Sequence, residues 1–197
     1  MDLPAALIGI GWASGVNAYG SVALLGLLGR AGLGEVPGAL ESDTVIILAA
    51  VMFAVEFVTD KIPLLDSAWD VVHTAVRPAI GSAVGAAFGG QADLAGLDEV
   101  LAAGGTGATA LLSHGVKAGL RLGVNASPEP FSNILVSLAE DGLVATVIAL
   151  ALADPLIAAL LATLLLIVGI SAVVVISKLA RGGLARVRAR RTRARAP

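Results

Sequence analysis

Titratable side chains are concentrated between residues 56 and 77 of this otherwise apolar sequence, in EFVTDKIPLLDSAWDVVHTAVR. They are the four acids Glu56, Asp60, Asp66 and Asp70, together with Lys61, His73 and Arg77. Carboxylate oxygens bind hard cations such as Mg²⁺, Ca²⁺ or Mn²⁺, and histidine titrates near neutral pH. The stretch therefore predicts a site for a cation or for protons. Its four acids are the candidate metal ligands, and a divalent cation is the one candidate cofactor.

Further polar residues occur in three other segments that are predicted to be helical. They are Asn17 near the N-terminus, His114, Lys117, Arg121 and Asn125 in the middle, and Asn133, Glu140 and Asp141 later in the chain. The spacing of the middle group puts its members on one face of a helix. Basic groups on one face suit an anion such as phosphate or a lipid headgroup. A cation or proton site and an anion site therefore both remain open.

Composition places these residues in a membrane protein. The hydrophobic class makes up 57% of the 197 residues and the charged class 14%, against about 25% charged in soluble domains. Charge is absent from residues 3–29 and 156–177, and each run exceeds the roughly 20 residues that cross a bilayer. The absence of cysteine excludes disulfides and thiolate chemistry.

The pattern predicts an all-α bundle of about six transmembrane helices over residues 1–180. In helix 1, Asn17 either bonds to a neighbouring helix or marks a break whose free backbone lines a site. Asp66 is the predicted N-cap of helix 3. In that helix, offsets of four, seven and eleven put Asp70, His73 and Arg77 on the same face as Asp66. Three spans in each half suggest a 3+3 inverted pseudo-repeat.

An ionisable group at the centre of a membrane helix costs at least about 2.5 kcal/mol, so the charged residues must face one another, water or a ligand. One interpretation is a network of structural ion pairs between helices. The other is a functional polar cavity, which the sequence favours because glue between helices is more cheaply apolar or amide.

Residues 181–197 form a basic segment. The basic residues begin slightly earlier, at Lys178, in KLARGGLARVRARRTRARAP. The positive-inside rule places this segment, and with six spans both termini, in the cytoplasm. Anionic lipids are its predicted partners. Nucleic acid is not a predicted partner, because no aromatic residue is interleaved. Glycine ridges in the helices leave a homodimer open.

Three segments carry a family resemblance: GWASGVNAY at residues 11–19, EFVTDKIPLLDSAWDVVHTAVRP at 56–78, and NASPEPFSN at 125–133 followed by Glu140 and Asp141. In these segments, and over nearly the whole chain up to about Lys178, the sequence resembles the bacterial family known as domain of unknown function 4126. The resemblance implies an integral protein of the bacterial cytoplasmic membrane. It supplies no substrate and no catalytic residue.

Three hypotheses about function follow. The first is a small transporter or ion-conducting protein whose acids bind a cation or relay protons. The second is a non-transporting membrane factor that binds an anionic headgroup through His114, Lys117, Arg121 and the basic segment. The third is an intramembrane enzyme using Asp66, Asp70 and His73. It is less favoured because no nucleophile motif such as GxSxG is present.

Overall fold

The computed structural model describes residues 1–125 and 130–193, and the side chains within them except those of residues 63, 64, 124, 125, 130, 180 and 182–193. This part of the chain is all-helical, as the sequence predicts. Its seven helices are α1 (Leu3–Val16), α2 (Ala18–Arg30), α3 (Asp43–Thr59), α4 (Pro63–Gln91), α5 (Leu97–Asn125), α6 (Pro130–Ala153) and α7 (Pro155–Arg193).

The seventh helix arises because the predicted first helix is broken at Asn17. This residue has extended backbone angles, φ −147° and ψ 97°, between the end of α1 and the start of α2. Its side-chain Oδ1 accepts a hydrogen bond from the backbone N–H of Gly20 at 2.8 Å. Asparagine is among the best N-cap residues, so Asn17 favours a new helix start at this position. Both interpretations of Asn17 hold, since the helix is broken there and the side chain also bonds to a neighbouring helix, with Nδ2 donating to Asp141 Oδ1 of α6.

The predicted start of the third helix is wrong by one turn. The helix α4 begins at Pro63, so Asp66 lies inside the first turn and is not the N-cap. Proline is favoured at the first helical position because it has no N–H to leave unpaired. The displacement leaves Asp66 on the same face as Asp70, and both are buried.

Close packing of α5 against α1 and α4 depends on small residues. A Cβ atom added at Gly15 of α1 would overlap Ser113 Oγ and the carbonyl oxygen of Ala110 on α5. One added at Gly85 of α4 would meet the carbonyl oxygen of Ala102. Contact between helix backbones at glycine is typical of membrane helices, and it brings the polar faces of three helices together.

The distribution of side chains is the reverse of that in a soluble domain. Arg77 and Glu56 are fully buried, whereas Val71 is 76% exposed and Leu160 is 71% exposed. Among the described residues, two segments are long and apolar enough to cross a membrane, Phe131–Ala153 and Pro155–Leu179. The second of these has few buried side chains, in agreement with an outward-facing last helix.

Candidate ion site

The candidate site contains two groups of ion pairs, and Arg77 of α4 is the centre of the first. Its Nη2 donates to Glu56 Oε1 of α3 at 2.6 Å, and its Nη1 lies 3.2 Å from Asp70 Oδ1. The same Nη1 donates to the backbone oxygen of Gly15 at 3.3 Å. One fully buried guanidinium therefore joins α1, α3 and α4.

The protonation of His114 follows from its partners in this first group. Arg77 Nη1 lies 2.6 Å from His114 Nδ1, and a guanidinium is always a donor. The Nδ1 atom must therefore accept, which leaves the proton on Nε2. That atom faces two possible acceptors, the backbone oxygen of Asp70 at 3.2 Å and Thr74 Oγ1 at 3.1 Å. His114 is thus the neutral Nε2–H tautomer.

Lys117 and Arg121 of α5 form the centre of the second group. Lys117 Nζ lies 2.5 Å from Asp60 Oδ2 and 3.6 Å from Glu140 Oε2. Arg121 makes two contacts with Glu140, with Nε to Oε1 at 3.2 Å and Nη2 to Oε2 at 2.6 Å. Its Nη1 lies 3.6 Å from Asp66 Oδ2. The two cations are almost completely buried. They are surrounded by acids from α4, α6 and the end of α3.

The break at Asn17 supplies backbone ligands to this arrangement. At the end of α1, the oxygen of Gly15 accepts from Arg77, and that of Val16 accepts from Lys117 Nζ at 3.0 Å. The end of α3 acts in the same way, because the oxygen of Asp60 accepts from Arg121 Nη1 at 2.8 Å. Cations are stabilised at the negative end of a helix dipole, so each of the three is fixed by a helix C-terminus as well as by acids.

Asn17 and Asn133 link the site to α6. Asn17 Nδ2 donates to Asp141 Oδ1 at 3.1 Å. Asn133 Oδ1 accepts from Arg121 Nη1 at 2.7 Å, and its Nδ2 donates to the backbone oxygen of Asp60 at 3.0 Å. Because α6 also contributes Glu140, groups from α1, α3, α4, α5 and α6 form the site.

Comparison with known families identifies one match. The family model described as Domain of unknown function (DUF4126) matches residues 5–175. The chain belongs to this family. No curated protein and no solved structure matches the chain. The matched range includes every predicted site residue, so the buried charged residues lie within the DUF4126 domain.

In this DUF4126 domain the four candidate metal ligands are divided between the two groups. Glu56 and Asp70 lie at Arg77, whereas Asp60 and Asp66 lie at Lys117 and Arg121. Within residues 1–125 and 130–193, no set of three or more His, Asp or Glu side chains is placed to hold a metal ion. Each of the four acids contacts a basic side chain, and a metal site formed by all four stays a prediction.

The other predicted site residues occupy the same interior. Residues 66, 70, 73 and 77 share the buried face of α4, and residues 114, 117 and 121 share that of α5. The side chain of Asn125 lies outside the described residues. His73 has a distinct environment: its ring stacks on Trp69 with centroids 4.6 Å apart, and its Nε2 lies 3.2 Å from the Tyr19 hydroxyl.

Sequence reasoning did not single out Thr74, Ser113 and Tyr19 as site residues. Thr74 and Tyr19 each bond to one of the two histidines. Ser113 Oγ donates to the backbone oxygen of Trp12 at 2.8 Å and so joins α5 to α1. Thr74 and Ser113 each adjoin a predicted histidine in the sequence. Their position was a usable signal, although a lone hydroxyl in a helix also bonds its own backbone.

A small crevice between α4 and α5 connects the charged interior with the surface of the domain. Its volume is about 160 Å³, and Asp70, Thr74, Ala118, Arg121 and Leu122 are among the residues that line it. A second cavity, of about 480 Å³, is lined mainly by apolar side chains of α1 and α5 and contains none of the predicted site residues. Of these two cavities, the crevice is the one that reaches the charged interior, at Asp70 and Arg121.

Replacing Asn17 with alanine should destabilise the domain by about 2–3 kcal/mol. The loss has two parts. The first is the N-cap of α2, worth about 1 kcal/mol. The second is the hydrogen bond to Asp141, because the Asp141 carboxylate would be left partly buried and unsatisfied. Thermal unfolding in detergent, followed by circular dichroism, measures the effect. Ser42→Ala is the matched control, since it removes the side-chain N-cap of α3 at an exposed position. Equal losses in the two variants would contradict a special role for Asn17.

Proposed function

We propose that this protein is a multi-pass membrane protein that moves protons or a small cation through the buried charged site. In this proposal α1 and α2 together form the first of six crossings, and α3 to α7 form the other five. The domain lies in the bacterial cytoplasmic membrane with both termini in the cytoplasm. The first three crossings and the last three would be the halves of an inverted repeat.

The reversed distribution of side chains supports the membrane part of this proposal. Large apolar side chains on α4 and α7 are exposed, and the charged ones of α3, α4 and α5 are buried. A lipid environment stabilises the exposed apolar surface, which water would not. The same environment makes each unpaired charge cost at least about 2.5 kcal/mol, in keeping with the pairing of all three central cations.

One observation carries the transport part of the proposal: the buried site contains more acids than bases and lies at a broken helix. Four buried carboxyl groups, those of Glu56, Asp60, Asp66 and Asp70, share the interior with three buried cations, Arg77, Lys117 and Arg121. The partly exposed Glu140, Asp141 and Lys61 lie at its edge. Broken helices whose free backbone lines a polar site are typical of secondary transporters. The excess of acids favours a positively charged substrate.

The two competing hypotheses have less support. An anionic headgroup would have to displace carboxylates that already pair with Lys117 and Arg121. A substrate for an enzyme would need more room than the crevice of about 160 Å³ offers, because small-molecule pockets are usually about 300–1,000 Å³. Anionic lipids are still proposed as partners of the basic segment 181–197, where each basic group near the surface contributes about 1 kcal/mol.

Ion flux through the purified protein in liposomes tests the proposal. We expect wild-type protein to carry protons or a small cation and Asp60→Asn to reduce the rate at least tenfold, because the substitution removes the charge that balances Lys117. Flux is recorded with internal dyes for pH, Na⁺, K⁺ and Mg²⁺.

Glu99→Gln is the matched control for this experiment, since Glu99 is exposed and remote in sequence from every site residue on α5. It should leave the rate unchanged. Thermal unfolding of both variants shows whether they are folded. A well-folded Asp60→Asn variant with the full rate, or wild-type protein that carries no ion, would overturn the proposed function.

A further inference from the structure

We infer that the carried species is the proton and that it enters through the crevice between α4 and α5, where Asp70 is the first group to bind it. This inference rests on the proposed function and names its substrate. It follows from three features of the site: carboxyl oxygens that lack a hydrogen-bond donor, cations that are fixed by backbone carbonyls, and the position of the crevice.

Several buried carboxyl oxygens have no hydrogen-bond donor within the described part of the chain. They include Glu56 Oε2, Asp60 Oδ1 and Asp70 Oδ1, on side chains that are more than nine-tenths buried. Asp70 Oδ1 lies 3.2 Å from Arg77 Nη1, but the two are not aligned for a hydrogen bond. A buried acceptor without a donor is costly. A proton that binds to the carboxylate removes its charge and turns an acceptor into a donor.

The placement of these oxygens favours protons over a metal ion. A hard cation such as Mg²⁺ or Ca²⁺ requires several oxygens that converge on one point. Here Glu56 and Asp70 are joined through Arg77, and Asp60 belongs to the group of Lys117. The described residues contain no set of three or more potential ligands placed to hold a metal. Protons, which bind one to each carboxylate, need no convergence.

The basic groups are the fixed part of the charge balance. Arg77, Lys117 and Arg121 each donate to a backbone oxygen at the end of a helix, and those bonds do not depend on whether the acids are ionised. The carboxylates are therefore the groups whose charge changes. Among the buried groups, four acids against three bases leave an excess of one negative charge, which one bound proton would neutralise.

Among the residues that the structure describes, the titratable or charged groups that face this interior belong to five helices or the turn after α3. These groups are Tyr19 on α2, Glu56 and Asp60 on α3 and its C-cap, Lys61 in the turn, Asp66, Asp70, His73 and Arg77 on α4, His114, Lys117 and Arg121 on α5, and Glu140 and Asp141 on α6.

Asp70 is the acid that the crevice reaches. It lines the crevice together with Thr74 on α4 and with Ala118, Arg121 and Leu122 on α5. Its side chain is 8% exposed, whereas that of Glu56 on the other side of Arg77 is fully buried. A hydronium ion in the crevice gives its proton to the Asp70 carboxylate and becomes water. No bond other than the O–H bond changes, and nothing is oxidised or reduced.

The test compares two flux measurements on protein reconstituted in liposomes. In the first, a membrane potential drives proton movement in buffer containing a metal chelator, and an internal pH dye reports the rate. In the second, gradients of Na⁺, K⁺ or Mg²⁺ are applied at equal pH. We expect acidification in the first measurement and no cation flux in the second. Asp70→Asn should reduce the proton rate at least tenfold, and Asp70→Glu should restore part of it.

Variants of the crevice test the entry route. Ala118→Leu fills the crevice and should slow proton flux at least threefold, whereas Leu122→Ala widens it and should raise the rate. Leu122→Ala keeps the test decisive if Ala118→Leu fails to fold, because Leu122 is 70% exposed. Ala103→Leu, on α5 but outside the crevice, is the matched control and should have the wild-type rate. Unchanged rates in folded Leu122→Ala and Asp70→Asn variants would overturn the entry route.

The outcomes separate this inference from the proposed function. Flux of Na⁺, K⁺ or Mg²⁺ without acidification in the chelator buffer would overturn the proton inference and leave the proposed function intact. Wild-type protein that moves neither protons nor cations would overturn both.

Discussion

Replacing Arg77 with methionine is expected to destabilise the domain by about 3–5 kcal/mol, the cost measured when one partner of a buried ion pair is removed. Arg77 is fully buried and contacts Glu56, Asp70, His114 and the backbone oxygen of Gly15. Methionine fills similar space without the charge. The variant would leave two buried carboxylates with no counter-ion, and α1, α3 and α4 would lose their common link.

Equilibrium unfolding in detergent micelles measures this loss, and a second substitution checks its cause. Glu56→Gln removes the carboxylate that accepts a hydrogen bond from Arg77 at 2.6 Å. If the loss in Arg77→Met arises from unpaired carboxylates, the double variant should recover part of it. A double variant that is less stable than Arg77→Met by the full cost of Glu56→Gln would show that the two residues act independently, against the structure.

An exposed arginine ion pair near the start of the chain provides the matched control. Arg30 pairs with Asp43, but their side chains are 42% and 79% exposed. Exposed ion pairs contribute only about 0–1 kcal/mol, so Arg30→Met should have little effect on unfolding. Similar losses in Arg30→Met and Arg77→Met would mean that burial does not determine the effect of either arginine.

The polar faces of the helices could be predicted from the sequence because helical periodicity is a local property. Charges at residues 66, 70, 73 and 77 recur with the spacing of one helix face, and the structure buries all four. Residues 114, 117 and 121 also recur with the spacing of one helix face, and all three are buried. In an apolar chain there are few charged residues to consider, so each such stripe is easily recognised.

The pairing of these faces could not be predicted, because it depends on how helices distant in sequence are packed. Glu56 on α3 and Asp60 at its C-cap are four residues apart, yet one pairs with Arg77 and the other with Lys117. Spacing alone suggested that the acids act together as metal ligands, and the intervening cations were not visible in it. The role of the backbone carbonyls at the ends of α1 and α3 could not be predicted for the same reason, since every residue type carries a carbonyl.

The helix break at Asn17 lies between these two cases. Asparagine is a good N-cap and a poor residue for a helix interior, so a break was one of two possible interpretations. What decided it is tertiary structure: Arg77 and Lys117 bond to the carbonyls that the break leaves free. A local preference and two distant cations therefore stabilise the same backbone conformation.

The second large effect is expected from Gly15→Ala, which should destabilise the domain by about 3 kcal/mol and abolish ion flux. The new methyl group would overlap Ser113 Oγ and the carbonyl oxygen of Ala110. A backbone atom cannot rotate away as a side chain can, so α1 must move away from α5. Overpacking of this kind typically costs about 1–3 kcal/mol. The displacement would also lengthen the bond from Lys117 to the oxygen of Val16.

The same substitution at Gly115 isolates the effect of this contact. Gly115 is also a helical glycine, but an added Cβ would meet no atom within 4 Å. Alanine there should leave stability unchanged or raise it by up to about 1 kcal/mol, since alanine favours helix more than glycine does. Thermal unfolding and flux of the two variants are compared in the same lipid. If Gly15→Ala is as stable and active as Gly115→Ala, the close contact between α1 and α5 cannot be what holds the carbonyls of the broken helix against the cations.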